Sequence, residues 1–108
     1  MFGALQEHEI RALLRKEQMG RLGIAAEGKV YVFPVSYGFD GANLYFHSRE
    51  GTKVQLMRDH PAVCFEVEDV TSPAVWRTAM VHGTYREVVD PEERDLARRA
   101  VRRGPART

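Results

Sequence analysis

The chain has one cysteine, Cys64, so no intrachain disulfide can form. It sits in an apolar run, Ala-Val-Cys-Phe, where a thiol most simply acts as a small buried hydrophobe. No apolar run approaches the ~18 residues that a bilayer-spanning helix needs. Glu7, His8 and Glu9 come early, so no signal peptide is expected. Neither charge sign dominates. Sixteen Lys and Arg stand against fifteen Asp and Glu, a net charge of +1, which removes the global electrostatic case for nucleic acid or a membrane surface. The four histidines, His8, His47, His60 and His82, are scattered, and no Cys/His spacing of a metal site occurs. There is no Ser/His/Asp order that suggests a triad, no G-x-x-x-x-G-K-[ST] loop, no internal repeat and no low-complexity segment. What remains is an ordinary composition, 44% hydrophobic and 29% charged. It points to a single domain over residues 1–108 with a small core, in a reducing, cytoplasmic setting.

The stretch 44–61, LYFHSREGTKVQLMRDHP, organises the rest. Leu44, Tyr45 and Phe46 open a strand that spans 44–48. A polar elbow follows, and the spacing predicts a helix over 54–60 that Pro61 stops. A strand that feeds a glycine turn and a helix start makes an anion site, because the first helical N–H groups lack internal partners and carry the positive end of the dipole. Lys53 adds a full charge, and Ser48 and Thr52 add hydroxyls. The plainer reading of Gly51-Thr52-Lys53 is ordinary helix capping.

Around this elbow the pattern alternates between periods. Residues 4–19 read as an amphipathic helix with Leu5, Ile10, Leu13, Leu14 and Met19 on one stripe and Gly20 as its C-terminal stop. Residues 22–26 read as a short strand, 27–29 as a hairpin turn and 30–39 as a second strand. Pro34 lies in the middle of that strand. It demands an edge, a bulge or one unpaired side, and so frees nearby backbone groups. A turn at 40–43 leads to the third strand. A fourth strand is expected over 62–67, a loop over 70–74 and a long fifth strand over 75–89 with a bend or bulge at Gly83. Asp90, Pro91, Glu92 and Glu93 form a strong helix start, and Arg98, Arg99, Arg102 and Arg103 fill the last turns. The tail 104–108 is expected to fray. Five strands in hairpin-like succession, one inserted helix and two flanking ones make a mainly β chain, a small antiparallel barrel. So few residues leave apolar area uncovered, which favours a homodimer.

The order of these features resembles the pyridoxamine 5′-phosphate oxidase-like superfamily of FMN-binding split barrels, nearest its nitroimidazole-resistance (Nim-type) branch. The likeness rests on Gly20-Arg21-Leu22-Gly23 opening the first strand and on Val30 to Tyr37 with its Pro-Val-Ser. It rests also on Leu44-Tyr45-Phe46-His47-Ser48 followed by Gly51-Thr52-Lys53, on His60-Pro61 with the run Val63 to Val67, and on Trp76-Arg77-Thr78. The resemblance implies FMN bound without a covalent link at a homodimer interface. Its phosphate would lie at Ser48, Thr52 and Lys53, beside Phe46. Its ring would lie along Phe33, Pro34, Val35 and Ser36, with His47 near the flavin as the one candidate catalytic side chain. Trp76 and Arg77 would come from the second copy. For His47 a hydrogen bond within the elbow, and for Trp76 a place in the core, are the plainer alternatives.

Two departures stand out. The second strand and the C-terminal segment lack the substrate motifs of the pyridoxamine phosphate oxidases proper, so that reaction is not expected. Relatives also add a strand after the last helix, which Gly-Pro-Ala-Arg-Thr cannot be, so the split barrel lacks its last strand or is completed differently. The function implied is an FMN-dependent oxidoreductase that passes electrons from NAD(P)H to a small oxidant such as a nitroaromatic or quinone. The alternatives are a flavin-binding module without turnover, or the same fold holding deazaflavin or haem. Nucleic acid through the arginine-rich last helix is disfavoured by its acidic first turn.

Overall fold

The computed structural model describes residues 5–47 and 51–103. The chain runs α1 (Glu7–Lys16), β1 (Met19–Ala26), β2 (Lys29–Phe39), β3 (Leu44–Phe46), α2 (Thr52–Asp59), β4 (Ala62–Ser72), β5 (Val75–Thr84) and α3 (Pro91–Arg103). The strands form one antiparallel sheet in the order β3-β2-β1-β4-β5. Turn chemistry sets the first two hairpins. Glu27 and Gly28 both have positive φ, 52° and 80°, the two-residue geometry whose twist suits paired strands. At the next turn one Asp40 oxygen accepts the N–H groups of Ala42 and Asn43 at 2.8 and 2.7 Å, and the other accepts the Tyr45 hydroxyl. Burial pushes this carboxyl up. The backbone bonds from Asn43 and Ala42 and the bond from Tyr45 outweigh it, so Asp40 titrates below its ordinary range.

Strict alternation gives the sheet one dry face. Leu22 and Ile24, Val35 and Tyr37, and Phe65 and Val67 point inward from β1, β2 and β4. Leu13 and Leu14 of α1 and Met57 of α2 close over them. Tyr37 pins α1 in place. Its hydroxyl donates to the Leu14 carbonyl at 2.7 Å and its ring stands edge-on to Phe65 at 4.8 Å. Burial first, and then the charge of Glu17, raise its hydroxyl pKa. Outside the core, Asp69 ties α1 to the sheet by accepting both Lys16 at 2.6 Å and Arg77 at 3.0 Å.

Several boundaries differ from the sequence reading. The first helix ends at Lys16, and Met19 and Gly20 belong to β1. Gly20 is needed there because the Phe65 ring lies on it; an added Cβ would fall 2.2 Å from Phe65 Cζ. Of the expected loop 70–74 only Pro73 and Ala74 form the turn. β4 continues to Ser72, and β5 ends at Thr84, five residues before the expected 89. The sheet's irregularity lies between Val70 and Ser72 rather than at Gly83, which pairs in register with Val63. α2 begins at Thr52, two residues early, which puts Lys53 inside its first turn.

The mainly β expectation holds, but the barrel is open. Among the described residues the outer edges of β3 and β5 pair with nothing further. α3 lies across β2, so close at Gly38 that an added Cβ would be 2.3 Å from the Ala100 backbone.

Candidate functional site

Lys53 and β2 meet. The Lys53 ammonium lies 5.5 Å from the centre of the Phe33 ring, and Phe33 is itself stacked parallel to Tyr31, 6.3 Å away. A cation over an aromatic face is held without being neutralised. No carboxylate within ion-pair distance of Lys53 is found among the described residues. The helix start carrying it is equally bare. Gly51 precedes α2, no side chain caps it, and no acidic residue lies in its first turn. Thr52, the first helical residue, is exposed. Uncapped N–H groups, a hydroxyl and an ammonium are therefore gathered at one helix start.

β2 supplies the second feature. β3 reaches only as far as Tyr37, which pairs with Phe46, while β1 continues alongside β2 through Pro34 and on to Lys29. Pro34 therefore has one unpaired side, one of the three arrangements its ring allowed. The Tyr37 N–H donates to the Gln18 carbonyl at 3.0 Å, toward β1. In an antiparallel ladder the backbone direction alternates, so Val32 and Pro34 turn their backbone groups to the open side. Polar backbone thus lies free along the strand that carries Phe33.

The remaining expected residues divide. Val35 points into the core, 4% exposed, and its backbone, like that of Phe33, faces β1, so neither of the two offers the free backbone groups expected on the open side. Pro34 and Ser36 lie exposed on the outer face. Phe46 ends β3 half-buried, and His47 follows it, exposed. Ser48 lies outside the described residues. Trp76 and Arg77 stand at the far end of β5, with β4 and β1 between them and β2. They are paired with Val70 and Asp69. Successive strand residues face opposite ways. Trp76 is on the outer face, half exposed, and Arg77 is engaged by Asp69.

A cavity of about 550 Å³ lies elsewhere. It opens between the edges of β3 and β5 under α3, bordered by Phe46 and His47 and floored by Leu22, Met57 and Phe65. Its walls are two unpaired strand edges and α3, and His47, Arg58, His82, Arg86, Arg94 and Arg98 line it beside the apolar floor. Sequence reasoning missed the partnership of Phe33 with Lys53. An aromatic on the inward register of β2 was the available signal, but nothing in the spacing says which helix residue it meets.

Comparison with known proteins agrees with this architecture. A sequence model described as pyridoxamine 5′-phosphate oxidase matches residues 6–107. A FAD-binding protein of Mesorhizobium loti is 33% identical and superposes with a TM-score of 0.80, over 88% of this chain and 69% of that one. The FAD-binding protein of Mycobacterium smegmatis is 27% identical with a TM-score of 0.78, over 89% and 79%. An uncharacterized protein of Rhizobium meliloti is 26% identical over 84 residues, 78% of this chain, which spans 56% of that relative's length. The match over nearly the whole length, on an open antiparallel sheet with three helices, places the chain in the pyridoxamine 5′-phosphate oxidase family, among the flavin-type split barrels.

Proposed function

We propose that the protein is an FMN-binding oxidoreductase that takes electrons from a reduced nicotinamide and gives them to a small oxidant, a nitroaromatic or a quinone. The observation that carries the reading is Lys53, poised on Phe33 at a helix start with neither cap nor acid, beside the open edge of β2 at Pro34. The residues present fit a flavin phosphate. The donors are cationic or neutral, no described carboxylate competes with an anion, and Gly51 leaves the approach open with nothing within 4 Å of an added Cβ.

A flavin held there would supply the hydride- and electron-transfer chemistry. The chain's own residues bind and orient. Lys53 Nζ, the Thr52 hydroxyl and the first N–H groups of α2 hold the phosphate, with Ser48 as a further donor. The backbone groups of Val32 and Pro34 give the ring edge its hydrogen-bond partners. His47, just past β3, is the side chain placed to hold or move a proton near the ring. Trp76 of the partner subunit covers the ring from the far side, and Arg77 of the partner subunit contributes only if it leaves its carboxylate. The Mesorhizobium loti and Mycobacterium smegmatis relatives are FAD-binding by name. The choice of FMN rests on the single phosphate that Lys53 and the start of α2 would hold.

The test is the visible spectrum of the purified protein, heat release of the chromophore and its mass. Released FMN supports the reading, and released FAD keeps a flavin but removes the FMN assignment. A colourless protein that takes up neither sinks it. NAD(P)H consumption with nitroaromatics and quinones then separates an oxidoreductase from a binder without turnover.

A further inference from the structure

The cavity under α3 is built unlike the start of α2. Neither Thr52 nor Lys53 lines it, so it is separate from the phosphate site proposed above. Its volume, about 550 Å³, falls in the range of small-molecule pockets, roughly 300–1,000 Å³. Its floor is dry: Leu22, Met57 and Phe65 are all buried. Such a hollow favours an apolar body, and the few polar groups at its border decide which head that body carries.

The charge at that border is one-sided. Among the described residues Arg58, Arg86, Arg94 and Arg98 line the cavity against a single carboxylate, Glu87. Arg58 holds Glu87, and Arg86 is engaged through two nitrogens by Glu93. Arg94 and Arg98 are left over. No carboxylate within ion-pair distance of either is found among the described residues. They stand four residues apart on α3 and so share one face, with Ala97 and Val101 of that face also in the wall. Like charges at this spacing repel each other. Arg99, off the cavity, has its partner in Asp95 at 3.5 Å. Of the arginines at 94, 98 and 99, the two over the hollow are the unpaired ones. Two neighbouring guanidiniums offer paired N–H donors to one anionic head.

We infer that this cavity takes a small amphipathic carboxylate, its apolar body on Leu22, Met57 and Phe65 and its head on Arg94 and Arg98. A fatty acid and an aromatic acid share that chemistry. An added peptide strand would pair the free edges of β3 and β5 but leave both guanidiniums unanswered. The inference stands apart from the proposed function, because it uses no residue that holds the phosphate or the ring.

The experiment is calorimetric titration of the full chain with octanoate, a straight-chain acid, and naphthoate, an aromatic one. Octanol, naphthol and octyltrimethylammonium carry the same bodies with neutral or positive heads. An acid that binds should do so at least about tenfold more tightly than its alcohol, the effect of a charge-assisted bond. The tighter acid names the source. Arg94→Gln combined with Arg98→Gln should erase that preference and leave the alcohols unchanged. Both positions are exposed, and circular dichroism checks the fold. Ala97→Phe, which fills the cavity from α3 without altering a charge, should weaken acid and alcohol alike. Wild type that binds neither acid, equal binding of acid and alcohol, or a preference that survives in the double variant overturns the inference. So does displacement of the bound acid by FMN, which would make the cavity the flavin's. The flavin spectrum fails separately: a colourless protein that binds octanoate keeps this site and sinks the proposed function, while a flavin-loaded protein that ignores both acids does the reverse.

Discussion

Helices α2 and α3 begin in opposite ways. α3 opens with Asp90, whose carboxylate accepts the Glu93 N–H at 3.0 Å, then Pro91, which has no N–H to satisfy, then Glu92 and Glu93 against the dipole. Arg86 clamps Glu93 through two nitrogens at 2.8 and 2.5 Å. Every device that stabilises a helix start is present, so nothing there is left to bind a ligand. α2 opens with Gly51, no cap, no acid and a lysine. Lysine at the positive end of the dipole is locally unfavourable, and only an anion reverses the sign. The contrast separates, within a single chain, a helix start closed by its own side chains from one left uncapped.

The contrast makes its largest prediction at Lys53. Lys53→Ala should weaken FMN binding by about 1–3 kcal/mol, roughly 5- to 150-fold, by removing a charge-assisted bond. The thermal midpoint should hold or rise slightly, since a badly placed charge is gone. Titration of the apoprotein by flavin fluorescence together with a melting curve measures both. Unchanged affinity would take Lys53 out of the site. The mirror experiment is Asp90→Ala. It should cost about 1 kcal/mol of stability and leave flavin affinity alone. Loss of affinity there would mean that the two helix starts are coupled and that the comparison fails.

These two starts were not equally legible in the sequence. Asp90-Pro91-Glu92-Glu93 announces itself because capping is local chemistry, carried by adjacent side chains. The Asp40 turn and the Glu27–Gly28 hairpin were readable for the same reason. The start of α2 was placed two residues late, because Gly51 gives no positive signal and a missing cap looks like loop. Strand ends at Ser72 and Thr84 were misplaced because they depend on how far β4 and β5 can pair, a property of two strands at once. The contact of Lys53 with Phe33 was out of reach for a similar reason. It joins a helix to a strand of different hairpins, and only tertiary packing makes them neighbours. Pro34 was the exception, since a missing N–H restricts pairing from one residue alone.

Acid should separate the two starts further. Glu93 is held below its ordinary value of 4.5 by hydrogen bonds from Arg86 and by that residue's charge. Asp69 is held below 3.8 by hydrogen bonds from Lys16 and Arg77. A depressed carboxyl contributes stability that is present above the unfolded pKa and lost as pH falls through the folded one. α3 and the α1–sheet tie should therefore loosen below about pH 4. α2 has no acidic residue in its first turn to protonate. Amide exchange, compared between about pH 6 and about pH 3, should show protection falling at α3, at α1 and at the last turn of α2, where Arg58 holds Glu87 below its ordinary value, before the first turn of α2. Simultaneous loss would mean that the sheet unfolds as a unit and that the clamps add nothing local.

The smallest effect is the most telling, because its two readouts should move in opposite directions. Gly51→Asp gives α2 the cap that α3 already has. Gly51 has an extended φ of 162°, which any residue adopts, and an added Cβ there meets nothing within 4 Å. The carboxylate can accept a first-turn N–H and offset the dipole, so stability should rise by a few tenths of a kcal/mol. The same carboxylate would fill the anion site and repel a phosphate, so FMN affinity should fall. Riboflavin, which has no phosphate, should bind as it does to wild type. If both ligands weaken together, the substitution has disturbed the ring side of the site. If neither weakens, the phosphate is held elsewhere, and the bare start of α2 is only an imperfect helix.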